Sequence, residues 1–328
     1  MSTINSAGRV VVGDAASDVS EHAVDYAAGL AAQRHVPLLI IHATPELSMP
    51  SRGAMLASLD PDAYLALVRE GGNKMLAESR QRVLQAHPDL QVDTQLLDGS
   101  PAEWLVRASA DAEVVVVGTR SHSAPLQVRM LGGVSDEVAT HAQGPVIFAS
   151  EQALRTTGPV VVGVDDSPGG RFALQTAVQE AERLGEKLRV VHAFSSTVAI
   201  GVLNSGPLAE MPELIDTLEE ILDDIIAPYR EAHPNLKIER SVVISSPVGA
   251  LMNESEHAQL VVVGSRGRGG FAGLLLGSTS RALLRRSACP VLVARPRPGQ
   301  RLVPDDTQPG GATRPDDPSS GGTPQPDA

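Results

Sequence analysis

The chain has 328 residues, a formal net charge of -12 and an aromatic content of 2%. Its length is sufficient for two domains that each bury a core. The acidic balance, the scattered arginines and the scarcity of aromatic rings argue against a nucleic-acid-binding surface. A single cysteine, Cys289, excludes an intrachain disulfide, and no segment approaches the roughly 20 apolar residues that span a bilayer. We therefore expect a cytoplasmic protein that binds neither nucleic acid nor membrane.

The sequence contains two versions of one pattern, which we call the first copy and the second copy. Four apolar runs of the first copy recur in the same order in the second, at offsets of 145 to 150 residues. Such self-similarity indicates a duplicated domain. The matched runs lie at 10–13 and 160–163, at 38–43 and 188–193, at 114–118 and 260–264, and at 146–149 and 291–294.

In chain order, short apolar runs alternate with longer amphipathic stretches in each copy. The runs are apolar throughout, which is typical of parallel strands covered on both faces. We predict a doubly wound, Rossmann-like α/β fold for each copy, with a five-stranded parallel sheet and helices on both faces. In the second copy the predicted strands are 159–164, 188–194, 237–244, 259–264 and 290–294, and the predicted helices are 169–184, 210–231, 247–257 and 278–287.

Composition divides the chain into two domains, a linker and a tail. The last segment is rich in proline and glycine and poor in aliphatic side chains, which predicts disorder. Two segments that differ between the copies, 44–62 and 195–212, are candidates for lids, partner surfaces or plain connections. The predicted divisions are a domain at 1–150, a linker at 151–157, a domain at 158–295 and a disordered tail at 296–328.

The last strand of each copy is expected at the edge of its sheet. An unpaired edge favours pairing with another strand. We expect the strands at 146–149 and 291–294 to pair within the chain, so that the two copies form an intrachain pseudo-dimer. The alternative is two domains that touch only through the linker. A homodimer of two chains and unknown protein partners are further options.

A glycine-rich loop, called here the glycine loop, follows the fourth strand of the second copy. It reads G-x2-G-x9-G-S, with glycines Gly264, Gly267 and Gly277 followed by Ser278. Glycine lets main-chain N–H groups approach an anion, and the start of the next helix attracts phosphate. Arg266 adds positive charge, and the Ser278 hydroxyl is expected to cap that helix. The loop follows the carboxyl end of a strand, where doubly wound sheets bind ligands, and it predicts a phosphate site.

This spacing resembles the nucleotide-binding signature of the ATP-binding class of the universal stress protein family. The opening VVGVDDS, the second strand VVHA and the last strand CPVLVA are similar to the same family, and the resemblance covers residues 8–150 and 158–295. It implies a bound adenine nucleotide, ATP with or without Mg²⁺, whose adenosine end meets Asp165 and the backbone of Ala193. The predicted nucleotide-binding residues are Asp165, Ala193, Gly264, Arg266, Gly267, Gly277, Ser278 and Thr279.

Individual site residues also have simpler interpretations. Asp165 is followed by Asp166, where the family commonly has glycine, and it is also placed to cap the next helix. His42 and His192 recur at matching strand ends. We expect both histidines to be structural because their neighbours are apolar.

The first copy carries a degenerate form of the motif. Ser121 stands at the second glycine position, the following stretch is one residue longer, and Gly133 stands where the second copy has its serine. Ala15 replaces the aspartate, and Asp14 lies one position earlier. A shift of one residue along a strand turns a side chain to the opposite face. We therefore predict weaker or absent nucleotide binding in the first copy.

Other phosphate-binding and catalytic motifs are absent from the sequence. The chain lacks a P-loop, a GxSxG elbow, a kinase motif set and metal-ligand spacing, and it offers no evident general base. By analogy with the family we expect a nucleotide-dependent stress-response or signalling module without efficient turnover. The alternatives are a slow ATPase or nucleotidyl enzyme of the same architecture, and a structural dimerising protein with a vestigial loop.

Overall fold

The structure, a computed structural model, describes residues 3–44, 61–119, 131–150, 157–194, 210–267 and 275–300. Strands and helices alternate along each copy. The first copy contains β1 (Val10–Gly13), α1 (Asp18–Arg34), β2 (Leu38–Thr44), α2 (Pro61–Ala86), β3 (Val92–Asp98), α3 (Pro101–Ala108), β4 (Val114–Thr119), α4 (Gly133–His141) and β5 (Val146–Ser150). The second copy contains β6 (Val160–Gly163), α5 (Pro168–Leu184), β7 (Leu188–Phe194), α6 (Glu210–Ala232), β8 (Ile238–Ile244), α7 (Pro247–Ser255), β9 (Leu260–Gly264), α8 (Ser278–Arg286) and β10 (Val291–Ala294).

Buried valines on both faces explain why the matched apolar runs form strands. Side chains alternate between the faces of a strand, and a strand covered on both sides needs apolar residues at every position. Val10 and Val12 enter the core beneath α1 and α2, whereas Val11 enters the core beneath α3 and α4. Both cores contain residues of both copies. Helices therefore cover the two faces of the sheet, as predicted.

The ten described strands form one sheet in the order β3-β2-β1-β4-β5-β10-β9-β6-β7-β8. Neighbouring strands are parallel within each copy, which confirms the predicted five-stranded parallel sheets. The last strands, β5 and β10, pair antiparallel, with Val291 opposite Phe148 and Val293 opposite Val146. This confirms the predicted pairing of the two copies. The alternative of two domains that touch only through the linker is wrong.

The antiparallel junction sets the direction of each copy. Because β5 and β10 run in opposite directions, the carboxyl ends of the second-copy strands lie at the same edge as the amino ends of the first-copy strands. Helix α4 leads into the amino end of β5, so its carboxyl end also lies at this edge. The carboxyl ends of β6, β7 and β9 therefore lie at the same edge of the sheet as the last turn of α4.

Several predicted segments lie wholly or partly outside the described residues. These parts are 45–60, 120–130, 151–156, 195–209, 268–274 and 301–328. The chain after residue 295, assigned to the tail from sequence, is described as far as Gln300. There Arg297 Nη2 donates to the carbonyl oxygens of Ala112 and Glu113, both at 2.7 Å. Among the described helices, none combines the length and the apolar character needed to cross a membrane.

Candidate functional site

A cleft of about 390 Å³ opens beyond the carboxyl ends of β6, β7 and β9. Parallel strands end at the same edge, so residues distant in the sequence meet there. Val191, Leu251 and Val263 give the cleft an apolar wall. The structure brings together the complete set of site residues predicted from the sequence, since the lining includes Asp165, Ala193, Gly264, Arg266, Gly267, Gly277, Ser278 and Thr279.

The turn between β6 and α5 holds the acidic side chain of the cleft. Asp165 Oδ1 accepts hydrogen bonds from the Ser167 amide at 3.2 Å and the Ser167 hydroxyl at 2.6 Å. Ser167 is the N-cap residue of α5, because its Oγ accepts from the Gly170 amide at 3.0 Å. The interpretation of Asp165 as the helix cap is therefore wrong. Asp165 orients the capping serine and lines the cleft at the same time.

Asp166 occupies a position that favours glycine. Its φ is +57°, in the left-handed region, where aspartate and asparagine are tolerated better than most other residues. Arg171 Nη2 bonds the Asp166 carboxylate at 2.8 Å across the first turn of α5. The matching residue of the first copy, Ala16, has a φ of +51°. Asp166, which stands where the family commonly has glycine, therefore keeps the positive φ that Ala16 has at the matching turn of the first copy.

The first two glycines of the glycine loop pack against the turn after β6. A Cβ atom added to Gly267 would lie 2.2 Å from Asp165 Oδ2, and one added to Gly264 would lie 2.6 Å from the Gly169 carbonyl oxygen. Neither distance is compatible with a side chain. Gly277 differs, because its added Cβ would lie 3.4 Å from the nearest atom, the Ser265 carbonyl oxygen. Gly264 thus packs against the main chain, Gly267 packs against the Asp165 carboxylate, and Gly277 has room for a methyl group.

Helix α8 begins at the cleft without a capping side chain. Gly277 is the N-cap residue and Ser278 is the first helical residue, so the expected capping by the Ser278 hydroxyl is wrong. The Gly277 amide donates to the Ser265 carbonyl at 2.7 Å, and Ser280 Oγ donates to the Gly264 carbonyl at 2.7 Å. These bonds fix both ends of the glycine loop. The first turn of α8 is thereby held beside the cleft.

Strand β7 extends past the end of β6 and presents main-chain groups to the cleft. The Val191 carbonyl accepts from the Val164 amide at 3.0 Å, so this side of β7 faces β6. Main-chain groups two residues apart point to the same side of a strand. The N–H and C=O of Ala193 therefore face the region beyond β6. His192 Nδ1 donates to the Val164 carbonyl at 2.8 Å, which confirms the structural role expected for this histidine.

Sequence reasoning missed several residues that shape the site, among them Ser280, Gly169 and Gly170. Ser280 lines the cleft and bonds the Gly264 carbonyl. Gly169 and Gly170 allow close approach, because an added Cβ would lie 2.3 Å from the Arg266 carbonyl oxygen and 2.7 Å from Asp165 Oδ1, respectively. Recurrence was the available signal for Ser280, since Ser135 lies 145 residues earlier and donates in the same way to the Gly118 carbonyl at 3.2 Å.

Comparison with known proteins gives the family of the chain. Residues 7–149 and residues 156–295 each match the sequence profile of the Universal stress protein family. The chain belongs to this family. Its two matches follow one another along the chain, in agreement with the duplicated fold.

Relatives of similar length support this membership of the universal stress protein family. A universal stress protein of Mycobacterium tuberculosis is 34% identical over 302 residues, covering 87% of this chain and 94% of that protein. One from Mycolicibacterium smegmatis is 33% identical over 299 residues, covering 88% and 97%. The crystal structure of a universal stress protein from Archaeoglobus fulgidus has a TM-score of 0.66 and 20% identity, covering 88% of this chain and 98% of that one. At this identity the match supports the fold alone.

The first universal stress protein copy directs its acidic residue away from the corresponding edge. Asp14 is buried, and its carboxylate accepts from the hydroxyls of Ser20 at 2.9 Å and Ser79 at 2.5 Å and from the Ala16 amide at 3.0 Å. Its side chain therefore lies between α1 and α2. This agrees with the expectation that Asp14 cannot replace the missing aspartate. Ser121 lies outside the described residues, and Gly133 begins α4.

Proposed function

We propose that the second copy binds ATP in the cleft beyond β6, β7 and β9. In this proposal the protein is a nucleotide-dependent stress-response module without efficient turnover. The cleft volume of about 390 Å³ lies within the range of about 300–1,000 Å³ found for small-molecule sites. Nucleotide binding would stabilise the conformation or assembly that contains the ordered cleft, by mass action.

The observation that carries the proposal is the start of α8. Main-chain N–H groups in the first turn of a helix have no acceptor within the helix, and here the N-cap residue Gly277 supplies no side-chain bond. Ser278 and Thr279 of this turn line the cleft. An anion at such a terminus gains hydrogen bonds and the favourable helix dipole. The exposed Arg266 adds positive charge, so the region suits a polyphosphate.

The remaining part of the cleft suits a nucleoside. Val191 and Leu251 offer apolar surface to a planar base. Ala193 presents main-chain groups past the end of β6, and these groups can bond the edge of a base. The Asp165 carboxylate can accept hydrogen bonds from ribose hydroxyls. These chemistries support an adenine nucleotide more than inorganic phosphate alone.

The described lining does not favour catalysis. Among the cleft residues that the structure describes, Asp165 is the only carboxylate, and Ser167 bonds it through both its amide and its hydroxyl. No group of three or more His, Cys, Asp or Glu side chains within the described ranges is arranged to hold a metal ion. In this proposal Mg²⁺ binds through the phosphate oxygens of ATP.

Three measurements on the purified protein test the proposal. Mass spectrometry of the ligand released from native protein should identify an adenine nucleotide, and calorimetry should show binding of added ATP. Single-turnover incubation should return unhydrolysed ATP. Hydrolysis of the bound ATP would instead favour the alternative, a slow ATPase or nucleotidyl enzyme. Absence of both retained nucleotide and ATP binding would leave a structural protein with a vestigial loop.

A charge substitution at the start of α8 tests whether the phosphates of ATP bind there. Ser278→Asp places a carboxylate among the first-turn amides, where it should weaken ATP binding by at least about a hundredfold through repulsion of phosphate. The same charge favours the helix dipole, so the unliganded protein should be at least as stable as the wild type. Gly133→Asp makes the matched change at the first residue of α4. This control should leave ATP affinity unchanged.

A further inference from the structure

Arg295 reaches from the second copy into the first. It directly follows β10, and only 8% of its surface is exposed. Its Nη1 donates to the carbonyl oxygens of Thr140 at 3.2 Å and Ala142 at 2.6 Å, and its Nη2 donates to that of Ala139. These carbonyls belong to the carboxyl end of α4 and the residue that follows it. The buried guanidinium thus completes the end of a first-copy helix.

The same guanidinium also contacts the glycine loop. Arg295 Nη2 donates to the Leu275 carbonyl at 3.3 Å. Leu275 lies two residues before Gly277, the N-cap of α8. One nitrogen therefore bridges the last turn of α4 and the segment that leads into the proposed phosphate site. The two other bonds described for this loop, from Gly277 and Ser280, remain within the second copy.

The surroundings of Arg295 both stabilise and destabilise its positive charge. Its four acceptors are main-chain carbonyl oxygens, and the carbonyls at the end of α4 carry the negative end of the helix dipole. Burial lowers the pKa of Arg295 to about 10, and the positive charge of Arg266 makes a smaller contribution in the same direction. The side chain therefore stays protonated at neutral pH. Anionic phosphate beside Arg266 would relieve the repulsion between the two arginines.

The bridge exists on one side of the pseudo-dimer. The residue of the first copy that matches Arg295, at an offset of 145, is Ser150. Its buried Oγ has no hydrogen-bond partner among the described residues. The copy with the intact motif thus receives support from its neighbour through Arg295. The short Ser150 side chain supplies no matching support to the first-copy loop in the described part of the chain.

We propose that Arg295 is a positioning residue for the nucleotide site, through which the first copy holds the glycine loop of the second in its binding geometry. The proposal rests on the proposed function. It gives the degenerate first copy a role, because the carboxyl end of α4 acts as a fixed support for the loop. It also explains why a charged side chain is buried directly after the last strand.

The test compares two arginines that cross the same junction. Arg295→Met keeps a long side chain and removes the bonds to α4 and Leu275, whereas Arg297→Met removes bonds to Ala112 and Glu113 that do not involve the loop. Arg295→Met should weaken ATP binding by about tenfold and change adenosine binding by less than about twofold, because the loop is expected to hold the phosphates. Arg297→Met should leave both affinities unchanged. Arg295→Lys, which retains the charge, should lie between wild type and Arg295→Met.

Hydrogen exchange separates the proposal from a general loss of stability. Amides of 276–280 should exchange faster in Arg295→Met than in Arg297→Met, with core strands equally protected in both. Equal ATP affinity in wild type and Arg295→Met, or an equal loss in Arg297→Met, would overturn the positioning role while leaving the proposed function intact. A wild-type protein that binds no ATP would instead overturn the proposed function and the nucleotide role of Arg295 together.

Discussion

Arg34 of the first copy and Glu180 of the second form a buried ion pair. Arg34 Nη2 donates to Glu180 Oε1 at 2.8 Å and to Oε2 at 2.7 Å, and each side chain is 5% exposed. Glu113 accepts from the other Arg34 nitrogen at 3.2 Å and from Arg183 at 3.1 Å. The two copies are therefore joined by charge on one face of the sheet as well as by the pairing of β5 with β10.

Removing the Glu180 charge should destabilise the whole chain. Glu180→Gln leaves Arg34 buried with weaker compensation, and the free energy of unfolding should fall by about 3 kcal/mol in urea titrations. Glu219→Gln is the matched control, because Glu219 pairs with Arg240 at 2.7 Å where both side chains are more than one third exposed. The control should lower the free energy of unfolding much less, because solvent screens an exposed pair. Similar losses in the two variants would show that the copies do not depend on the buried pair.

Gly267 and Gly277 should respond differently to alanine. Gly267→Ala forces a methyl group against the Asp165 carboxylate, so the unliganded protein should lose about 1–3 kcal/mol of stability. Gly277→Ala has room for the methyl group, and its ligand-free stability should be unchanged. Both variants should bind ATP more weakly, the second by obstructing the ligand alone. Thermal melts with and without ATP provide the measurement, and equal ligand-free melting temperatures for the two variants would contradict the packing role of Gly267.

The two aspartates at the ends of β1 and β6 should separate stability from binding. Asp14→Asn disturbs the three hydrogen bonds of a buried carboxylate and should lower the free energy of unfolding by about 2 kcal/mol, with ATP affinity unchanged. Asp165→Asn should weaken ATP binding with little loss of ligand-free stability. Calorimetry measures ATP affinity and urea titration measures the free energy of unfolding, and both are applied to each variant. A loss of ATP affinity in Asp14→Asn would show that the first copy binds nucleotide.

Glu239 should make the protein more stable above pH 4.5 than at strongly acidic pH. Hydrogen bonds from Lys237, and then from Lys187, lower the pKa of Glu239 from 4.5 to about 2. A carboxylate with a lowered pKa contributes stability that is complete above its unfolded value and is lost as the pH falls toward its folded value. The stability difference between wild type and Glu239→Gln should therefore shrink from pH 6 to pH 2. A difference that stays constant over this range would contradict the lowered pKa.

Local pattern was enough to predict the strands and the edge of the sheet at which the cleft lies. Unbroken valine runs such as 160–162 can be buried on both faces only in a covered parallel sheet, and parallel strands bring their carboxyl ends together. The resemblance to the universal stress protein family added the assignment of residues as distant as Asp165 and Ser278 to one site. Duplication supplied the pairing of the last strands, because it revealed two equivalent edges.

Contacts that depend on the relative placement of the copies could not be predicted. Arg295 lies more than 150 residues from Ala139 in sequence, and no periodicity relates the two. The prediction that Ser278 caps α8 was wrong for a different, local reason. A cap is defined by the backbone angles of one residue, and serine is favourable both at the cap and in the first turn.

The two copies run in opposite directions, so the carboxyl ends of their parallel strands lie at opposite ends of the molecule. A homodimer built on the same strand pairing would have identical sites at its two opposite ends, and a ligand would bind at both. Here the second copy keeps the aspartate of the site and the first copy lacks it, so a nucleotide would bind at one end of the molecule. A partner protein that recognises the nucleotide-bound state would have to contact that end of the molecule. The opposite end would remain available for a different partner.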